Sequence, residues 1–216
     1  MLKNRKNRIR LSYQKSLKKY GFCPKALQWQ TRAAARTRYK NLVCNIDFKR
    51  KSVLDVGCGF GDIIPFIKKR AQIFSYTGVD LVPEFIDFAK NKYPNFEFIE
   101  RDYFTRPLKK KFDIIITCGT LNSNIKNSLE YRQKAIQTMF GHASELVAFN
   151  MAGGYPQPKN ARKNRVYYVD SHQIFKFCQS LTPKIIFRHH YRFNDFTIVM
   201  YKPRENQKEG TDRGVL

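Results

Sequence analysis

The stretch Ser52–Asp62, SVLDVGCGFGD, joins a short apolar run to three alternating glycines and an acid. Its first five residues are mostly apolar or β-branched, a pattern typical of a strand covered on both faces. Glycine at positions 57, 59 and 61 permits a positive φ and lets a ligand approach bare backbone. The apolar run from Ile63 predicts a helix, with Asp62 as its N-cap. Together these features predict a ligand site at the carboxyl end of a parallel strand.

The spacing of the glycines helps to decide which class of ligand the turn binds. The dinucleotide fingerprint G-x-G-x-x-G requires a third glycine at position 62, where this chain has Asp62. The chain instead carries D-x-G-x-G-x-G from Asp55 to Gly61. An acid at this point repels a pyrophosphate but is compatible with a zwitterionic or cationic ligand such as S-adenosylmethionine. The stretch resembles the first motif of the class I S-adenosylmethionine-dependent methyltransferases.

This resemblance implies cofactor-binding residues after successive strands. Asp80 lies 19 residues after Gly61, near the spacing at which an acid accepts from ribose hydroxyls, although an N-cap role for the helix at Pro83 stays open. By the same resemblance Asp102 accepts from the adenine amino group and Tyr103 packs on the ring. Cys118 is expected as a small buried residue beside the cofactor, without a thiol role in catalysis. The expected cofactor-binding residues are Asp55, Gly57, Cys58, Gly59, Gly61, Asp80, Leu81, Asp102, Tyr103, Cys118 and Gly119.

The remaining hydrophobic patterns predict the fold class. Strands are expected at 52–56, 74–79, 96–100, 112–118 and 145–150, and a terminal hairpin at 184–191 and 196–201. Helices are expected at 83–91, 126–142 and 171–181. The prediction is an α/β fold with a Rossmann-like, seven-stranded, mostly parallel sheet. Its terminal strand is antiparallel, and helices lie on both faces.

The chain is expected to form one domain with two extensions. The predicted parts are a basic arm at 1–23, mobile or helical, a methyltransferase domain at 24–202 and a polar tail at 203–216. Within the domain, 24–46 form an N-terminal helix that begins at Pro24, and 52–202 form the core. The resemblance implies that Gln28, Trp29 and Arg32 face the cofactor, while a plain packing role for Trp29 stays open.

Charge is the unusual feature of the composition. The chain has 41 Lys and Arg against 17 Asp and Glu, a net charge of +24, and residues 1–46 contain 13 basic residues and no acid. This pattern is typical of a polyanion binder, and equally of a cell whose proteins are all basic. There is no apolar run of the roughly 18 residues that a membrane span needs. Five cysteines without a C-x-x-C pair or a histidine cluster predict a reducing compartment, the cytoplasm, and no metal site.

The resemblance extends to small uncharacterised bacterial methyltransferases, some of which carry a trans-aconitate methyltransferase label. It implies methyl transfer from S-adenosylmethionine to a small anionic molecule. Asn122 and Asn150, at the ends of two strands, are the expected substrate-positioning residues. Further candidates at the sheet edge are Tyr168, His189 or His190, and Asp195, with the basic segment 151–165 as a lid or a solvated loop.

The alternative function is an RNA methyltransferase, acting on rRNA or tRNA, that grips RNA through residues 1–46. The loop from Gly119 to Asn124 lacks the N-P-P-[YF] signature of enzymes that methylate amino groups of bases. The sequence leaves the choice between monomer and dimer open.

Overall fold

The computed structural model describes residues 2–163 and 165–203, so the predicted tail lies outside the described residues from position 204 onwards. The elements in chain order are α1 (Leu2–Tyr20), α2 (Arg32–Val43), β1 (Ser52–Val56), α3 (Ile64–Lys68), β2 (Ser75–Asp80), α4 (Pro83–Lys92), β3 (Glu97–Glu100), β4 (Phe112–Cys118), α5 (Ser128–His142), β5 (Ala143–Gly154), β6 (Arg162–Lys163), β7 (Val166–Tyr167), β8 (Val169–Asp170), α6 (Ser171–Leu181), β9 (Ile185–Arg192) and β10 (Asp195–Tyr201). A 3-10 turn at Thr120–Asn122 follows β4.

Seven strands form the main path of the sheet in the order β3-β2-β1-β4-β5-β10-β9. Strands β1 to β5 are parallel, whereas β10 runs antiparallel to both β5 and β9. The short β8 pairs with the end of β5. The predicted fold class is therefore confirmed, including the antiparallel terminal strand.

Two apolar layers enclose this sheet, as the alternation of side chains along β4 illustrates. Ile114 and Ile116 belong to the core under α2, α3 and α4, together with Ile67. Ile115 belongs to the opposite core under α5 and α6, with Ile136. Because successive strand side chains point to opposite faces, a strand buried on both faces needs an uninterrupted apolar run. This requirement explains why β4 could be predicted from the apolar run in its sequence.

The N-terminal helix of the domain is shorter than predicted. The helix expected from Pro24 begins at Arg32, and residues 24–28 form turns instead. Thr31 is the N-cap, because its side chain accepts a hydrogen bond from the backbone N–H of Ala34 at 3.0 Å. The N-terminal capping preference of threonine therefore decides the boundary, and the proline only shapes the preceding turn.

The N-cap predicted for α3 is also wrong. Ile63 occupies that position and makes no side-chain cap. The carboxylate of Asp62 instead pairs with Lys92 Nζ at 2.8 Å. A tertiary ion pair with α4 thus replaces the local hydrogen bond that the sequence suggested.

The basic segment at the N-terminus is a helix that packs on the domain. In α1 the ring of Tyr13 contacts Phe85 edge-on at 5.7 Å, and Leu17 packs on the same cluster. Gln14 Nε2 donates to Glu84 Oε1 at 2.6 Å. In the part of the chain that the structure describes, no helix is long and apolar enough to cross a bilayer.

Candidate active site

The glycine turn at residues 57–61 has left-handed backbone at all three glycines, with φ of 77°, 53° and 69°. The N–H groups of Gly57 and Cys58 donate to Val79 O at 2.7 and 3.0 Å, which joins the turn to the end of β2. A Cβ at Gly57 would lie 2.1 Å from Thr120 Oγ1, and one at Gly59 would lie 3.0 Å from the Leu27 side chain. The turn therefore depends on glycine for both conformation and space.

Asp80 lies at the end of β2, directly beside the glycine turn. Its two carboxylate oxygens accept hydrogen bonds from the N–H groups of Gly59 and Val82, each at 3.0 Å. Burial raises the pKa of Asp80, and these backbone bonds oppose the rise. Val82, not Asp80, is the N-cap of α4. Since each carboxylate oxygen has two lone pairs, both oxygens can still accept from a ligand hydroxyl.

Asp55 is the buried acid of the first strand, with 4% of its surface exposed. Its Oδ2 accepts from the Tyr76 hydroxyl at 2.7 Å. Burial raises the pKa of Asp55 to about 7; the Tyr76 hydrogen bond lowers it, and the charge of Asp80 raises it further. A nearby cation, such as a ligand ammonium group, would favour the ionised form.

The pair Asp102–Tyr103 follows β3 but does not place its aromatic ring at the turn. Tyr103 is 2% exposed, and its hydroxyl is hydrogen-bonded to His142 Nδ1 at 2.9 Å. Its ring packs in the core under α5, where burial raises the hydroxyl pKa. Asp102 starts a turn, since its carbonyl accepts from Arg106 N at 2.9 Å. The structure therefore buries the Tyr103 ring in the core under α5, whereas Asp102 stays in the turn after β3.

The end of β4 meets the segment that precedes α2. Gly119 has a φ of 79°, and a Cβ there would lie 2.9 Å from the ring of Trp29. Trp29 thus covers the loop after β4 and also packs edge-on against Tyr39 at 6.0 Å. Burial raises the pKa of both Cys58 and Cys118, so neither thiol is activated as a nucleophile.

The two asparagines differ in their position. Asn122 Oδ1 accepts from the N–H of Ala152 at 2.8 Å, and Asn122 lines a small cavity at this edge. Asn150 is fully buried and donates to Phe196 O at 3.1 Å and to the Tyr191 hydroxyl. The structure brings Asn122 to the cavity, whereas Asn150 is buried in the sheet and is not part of the cavity lining.

A buried arginine forms the wall of this cavity. Arg38 Nε and Nη2 donate to Asp195 Oδ1 at 3.1 and 3.0 Å, and the guanidinium lies 4.9 Å from the Trp29 ring centroid. Arg192 Nη1 lies 3.7 Å from the same carboxylate. Among the described residues, Nη1 of Arg38 and Nη1 of Arg192 are buried without a hydrogen-bond partner.

We call this space the acceptor cavity. It measures about 100 Å³, and its lining includes Trp29, Arg38, Asn122, Tyr168 and Arg192. Among the other residues predicted from the sequence to lie at the sheet edge, Asp195 accepts the hydrogen bonds of Arg38. His189 Nε2 accepts from Tyr155 N at 3.2 Å outside the lining, and the His190 side chain lies outside the described part of the structure.

Three segments distant in sequence meet above the site at Ser12. Its hydroxyl accepts from Gln28 Nε2 at 3.1 Å and from Arg165 Nη1 at 2.7 Å. The carbonyl of Arg165 accepts from Asn124 N at 2.8 Å. Part of the predicted loop 151–165 is ordered differently, because β5 continues to Gly154 and β6 pairs with β7. Helix α1 and the β6–β7 hairpin therefore share one contact over the sheet edge.

Comparisons with known proteins agree with this geometry. Residues 53–143 match the family model described as a methyltransferase domain. A Mycobacterium tuberculosis protein named as a methyltransferase is 27% identical over 160 residues, covering 70% of this chain and 93% of that protein. The N-methyltransferase NodS of Bradyrhizobium japonicum, solved with S-adenosyl-L-homocysteine, superposes with a TM-score of 0.64 at 14% identity, covering 90% of this chain and 98% of that one. The chain contains a methyltransferase domain and has the fold of the class I S-adenosylmethionine-dependent methyltransferases.

Other relatives of this methyltransferase differ in chemistry. A ubiquinone/menaquinone biosynthesis C-methyltransferase of Campylobacter jejuni is 32% identical over 114 residues, covering 50% of this chain and 44% of that protein. Magnesium protoporphyrin IX methyltransferase of Synechocystis, solved with bound S-adenosylmethionine, gives a TM-score of 0.58 at 15% identity, with 79% of each chain covered. The methyltransferase spans less than half the length of several curated relatives that it matches.

The residues present fit the cofactor of the family. The glycine turn keeps its left-handed backbone only because side chains are absent at its glycines, since a Cβ at Gly57 would lie 2.1 Å from Thr120 Oγ1. Asp80 offers free acceptor capacity for hydroxyls, and Asp55 offers an acid that a ligand cation would ionise. Leu81 directly follows Asp80, and Cys58 lies within the glycine turn. The two carboxylates of Asp80 and Asp55 thus suit a ligand with hydroxyls and a positive charge.

Sequence reasoning did not single out Arg38 as a functional residue of the methyltransferase. One signal was present, since Arg38 is spaced by four residues from both Ala34 and Leu42, on the apolar side of the helix. A cation on an apolar helix face is rarely buried without a partner. The partner, Asp195, lies 157 residues away, and no local pattern predicts that pairing.

Proposed function

We propose that this methyltransferase transfers the methyl group of S-adenosylmethionine to a small anionic acceptor that binds in the acceptor cavity. The observation that carries the proposal is the pair of buried guanidinium nitrogens, Nη1 of Arg38 and Nη1 of Arg192, without a hydrogen-bond partner among the described residues. Two guanidinium groups face one carboxylate, that of Asp195, so the cluster keeps one positive charge in excess. Guanidinium groups bind carboxylates and phosphates through charge-assisted hydrogen bonds.

The cofactor residues are proposed from the geometry at the turn. Asp80 accepts from the ribose hydroxyls, Asp55 faces the ammonium group, and Asp102 accepts from the adenine amino group. The turn at Gly57 and Gly59 and the loop at Gly119 present backbone groups to the ligand. Tyr103 is omitted from this set, because its ring is packed in the core beside His142.

S-adenosylmethionine supplies an electrophilic methyl group on a sulfonium, and the chain has to hold the acceptor in line with it. Trp29 lies between the Gly119 loop and Arg38, so it forms the wall common to both binding regions. Alignment of two reactants of this kind can contribute on the order of 7–11 kcal/mol in favourable intramolecular cases. A carboxylate acceptor needs no general base, because its oxygen is already ionised at neutral pH.

The test is a labelled-methyl transfer screen with pools of small acids and of RNA from the same cell. With an acceptor in hand, Arg192→Gln is expected to raise its KM about tenfold while the affinity for S-adenosylmethionine stays unchanged. Arg192 is the better probe because its loss leaves the Arg38–Asp195 ion pair in place. Lys134→Gln, at an exposed cation on α5, is the matched control. An unchanged acceptor KM in Arg192→Gln would refute the anionic subsite.

The RNA alternative predicts a different result in the same screen. Helix α1 is packed on the domain, and its exposed cations include Lys15, Lys18 and Lys19. If RNA is the acceptor, replacing all three by Gln should weaken RNA binding and reduce its salt dependence. For a small acceptor, turnover should stay unchanged in this variant. We also propose a cytoplasmic location, supported by five free cysteines.

A further inference from the structure

A second cavity, of about 340 Å³, is enclosed by residues 22–24, α2, α3 and α4. We call it the rear cavity. Its lining contains none of Gly57, Asp80, Asp102 and Gly119, and it shares no residue with the acceptor cavity. It is therefore separate from both parts of the candidate active site, although Phe60 of the glycine turn contributes to its wall.

Aromatic rings form the apolar part of the rear cavity. Phe22 stacks on Phe88 with ring centroids 4.3 Å apart, and Phe60 meets Phe88 edge-on at 5.1 Å. On the opposite side Phe66 packs against Tyr39 at 5.4 Å. Phe22 is 52% exposed, an unusual position for so large an apolar side chain. The cavity thus offers ring surfaces to the flat body of a small ligand.

The charged groups of the rear cavity are predominantly positive. Arg32, Arg36 and Lys69 line it, are exposed and form no ion pair within the described residues. The acid of this lining, Asp62, is already paired with Lys92 at 2.8 Å. Three cations consequently have no counter-charge beside an aromatic surface.

We propose that the rear cavity binds a small amphipathic anion, consisting of an aromatic body and one carboxylate, phosphate or sulfonate group. The body lies against Phe22, Phe66 and Phe88, and the anionic group is held by Arg36 and Lys69. Arg36 is suited to both contacts, because its guanidinium already lies 5.9 Å from the Phe66 ring centroid. The site is distinct from methyl transfer, so it does not depend on the identity of the acceptor.

The test compares two fluorescent probes that share an aromatic body and differ in charge. These are 8-anilinonaphthalene-1-sulfonate and the neutral N-phenyl-1-naphthylamine, titrated into the full chain saturated with S-adenosylhomocysteine. The double variant Arg36→Glu/Lys69→Glu is expected to bind the sulfonate about tenfold more weakly and the neutral probe equally well. Lys134→Glu/Lys176→Glu, at exposed cations on α5 and α6, is the matched control and should bind both probes normally.

Three outcomes would overturn the proposal. Sulfonate binding to the ligand-free chain that is absent from the chain saturated with S-adenosylhomocysteine would assign this binding to the cofactor site. Equal sulfonate affinity in Arg36→Glu/Lys69→Glu and the unaltered chain would mean that the cavity binds the probe through apolar contacts alone and does not recognise its charge. Sulfonate binding that weakens as protein concentration rises, with light scattering showing a dimer, would mean that a second copy covers the cavity.

Discussion

Arg38 and Asp195 lie 157 residues apart in the chain and form an ion pair at the side of the acceptor cavity, with Arg38 Nη2 2.9 Å from Asp195 Oδ2. Asp195 is 1% exposed and Arg38 9% exposed, so both charges are largely removed from water. Burial raises the pKa of Asp195, and the charge and hydrogen bonds of Arg38 oppose the rise. The pair ties α2 to the start of β10.

Removing one partner of this pair should destabilise the fold strongly. Arg38→Met leaves the Asp195 carboxylate buried without its main counter-charge, and we expect a loss of about 3–5 kcal/mol in the free energy of unfolding. Urea unfolding measures it. Arg36→Met, at an exposed arginine of the same helix, should stay within about 0.5 kcal/mol of the parent. The double variant Arg38→Met/Asp195→Leu should recover much of the loss, and no recovery would contradict the ion-pair explanation.

Asp80→Ala should weaken binding of S-adenosylmethionine by roughly 1.5–3 kcal/mol, the scale of a hydrogen bond to a charged group. Calorimetric titration measures the change. Asp80 also accepts from two backbone N–H groups, so a circular dichroism melt has to establish that the variant is folded. Asp87→Ala, at an exposed acid of α4, is the control and should bind normally. Equal affinities in a folded Asp80→Ala variant would remove this residue from the site.

Asp55 should make stability depend on pH in the range from about 4 to 7. Its pKa is about 7 in the folded chain against the ordinary 3.8, so the folded state holds a proton that the unfolded state has released. This contribution is fully present below pH 4 and is lost as pH rises through 7. Asp55→Asn should therefore show a smaller decline in unfolding free energy over this range, measured by urea titration at successive pH values.

Asp113 provides a control of opposite sign. Burial raises the pKa of Asp113, but hydrogen bonds from Ser52 N and Oγ lower it, and the net shift is downward. Its contribution is present above pH 4 and is lost as pH falls through the lowered pKa. Asp113→Asn should thus alter the profile at acid pH only. If Asp113→Asn altered the pH dependence of unfolding free energy between pH 4 and 7 and Asp55→Asn did not, the dependence in this range could not be assigned to Asp55.

Two glycines should respond to alanine in opposite directions. Gly57→Ala forces a side chain onto a φ of 77° and to within 2.1 Å of Thr120 Oγ1, so we expect a loss of about 1–3 kcal/mol. Gly141→Ala lies in α5 with nothing within 4 Å of the new Cβ, and should gain about 0.5–1 kcal/mol. Thermal unfolding of both variants provides the comparison. A neutral Gly57→Ala would mean that the turn adjusts more easily than its geometry indicates.

The order of the seven main strands along the chain and the fold class follow from the sequence alone. Strands β1, β2, β4 and β5 are buried over most of their length, so they require apolar runs, and such runs are visible in a single sequence. The edge strand β3 is mostly exposed or half-buried. In the terminal hairpin β10 is buried whereas the described side chains of β9 are half-buried, and the short polar turn between the two runs made the pair predictable. The glycine turn with its neighbouring acid, Asp80, was also predictable, because backbone conformation and chain direction restrict which residues can occupy those positions.

Only the tertiary structure decided what lies around that turn. It placed Tyr103 in the core, exchanged the expected cap at Asp62 for an ion pair, and joined Arg38 to Asp195. It also made Ser12 a shared contact of α1 and the β6–β7 hairpin. Each of these contacts links segments distant in sequence. Their energies depend on burial and distance, which local periodicity does not encode.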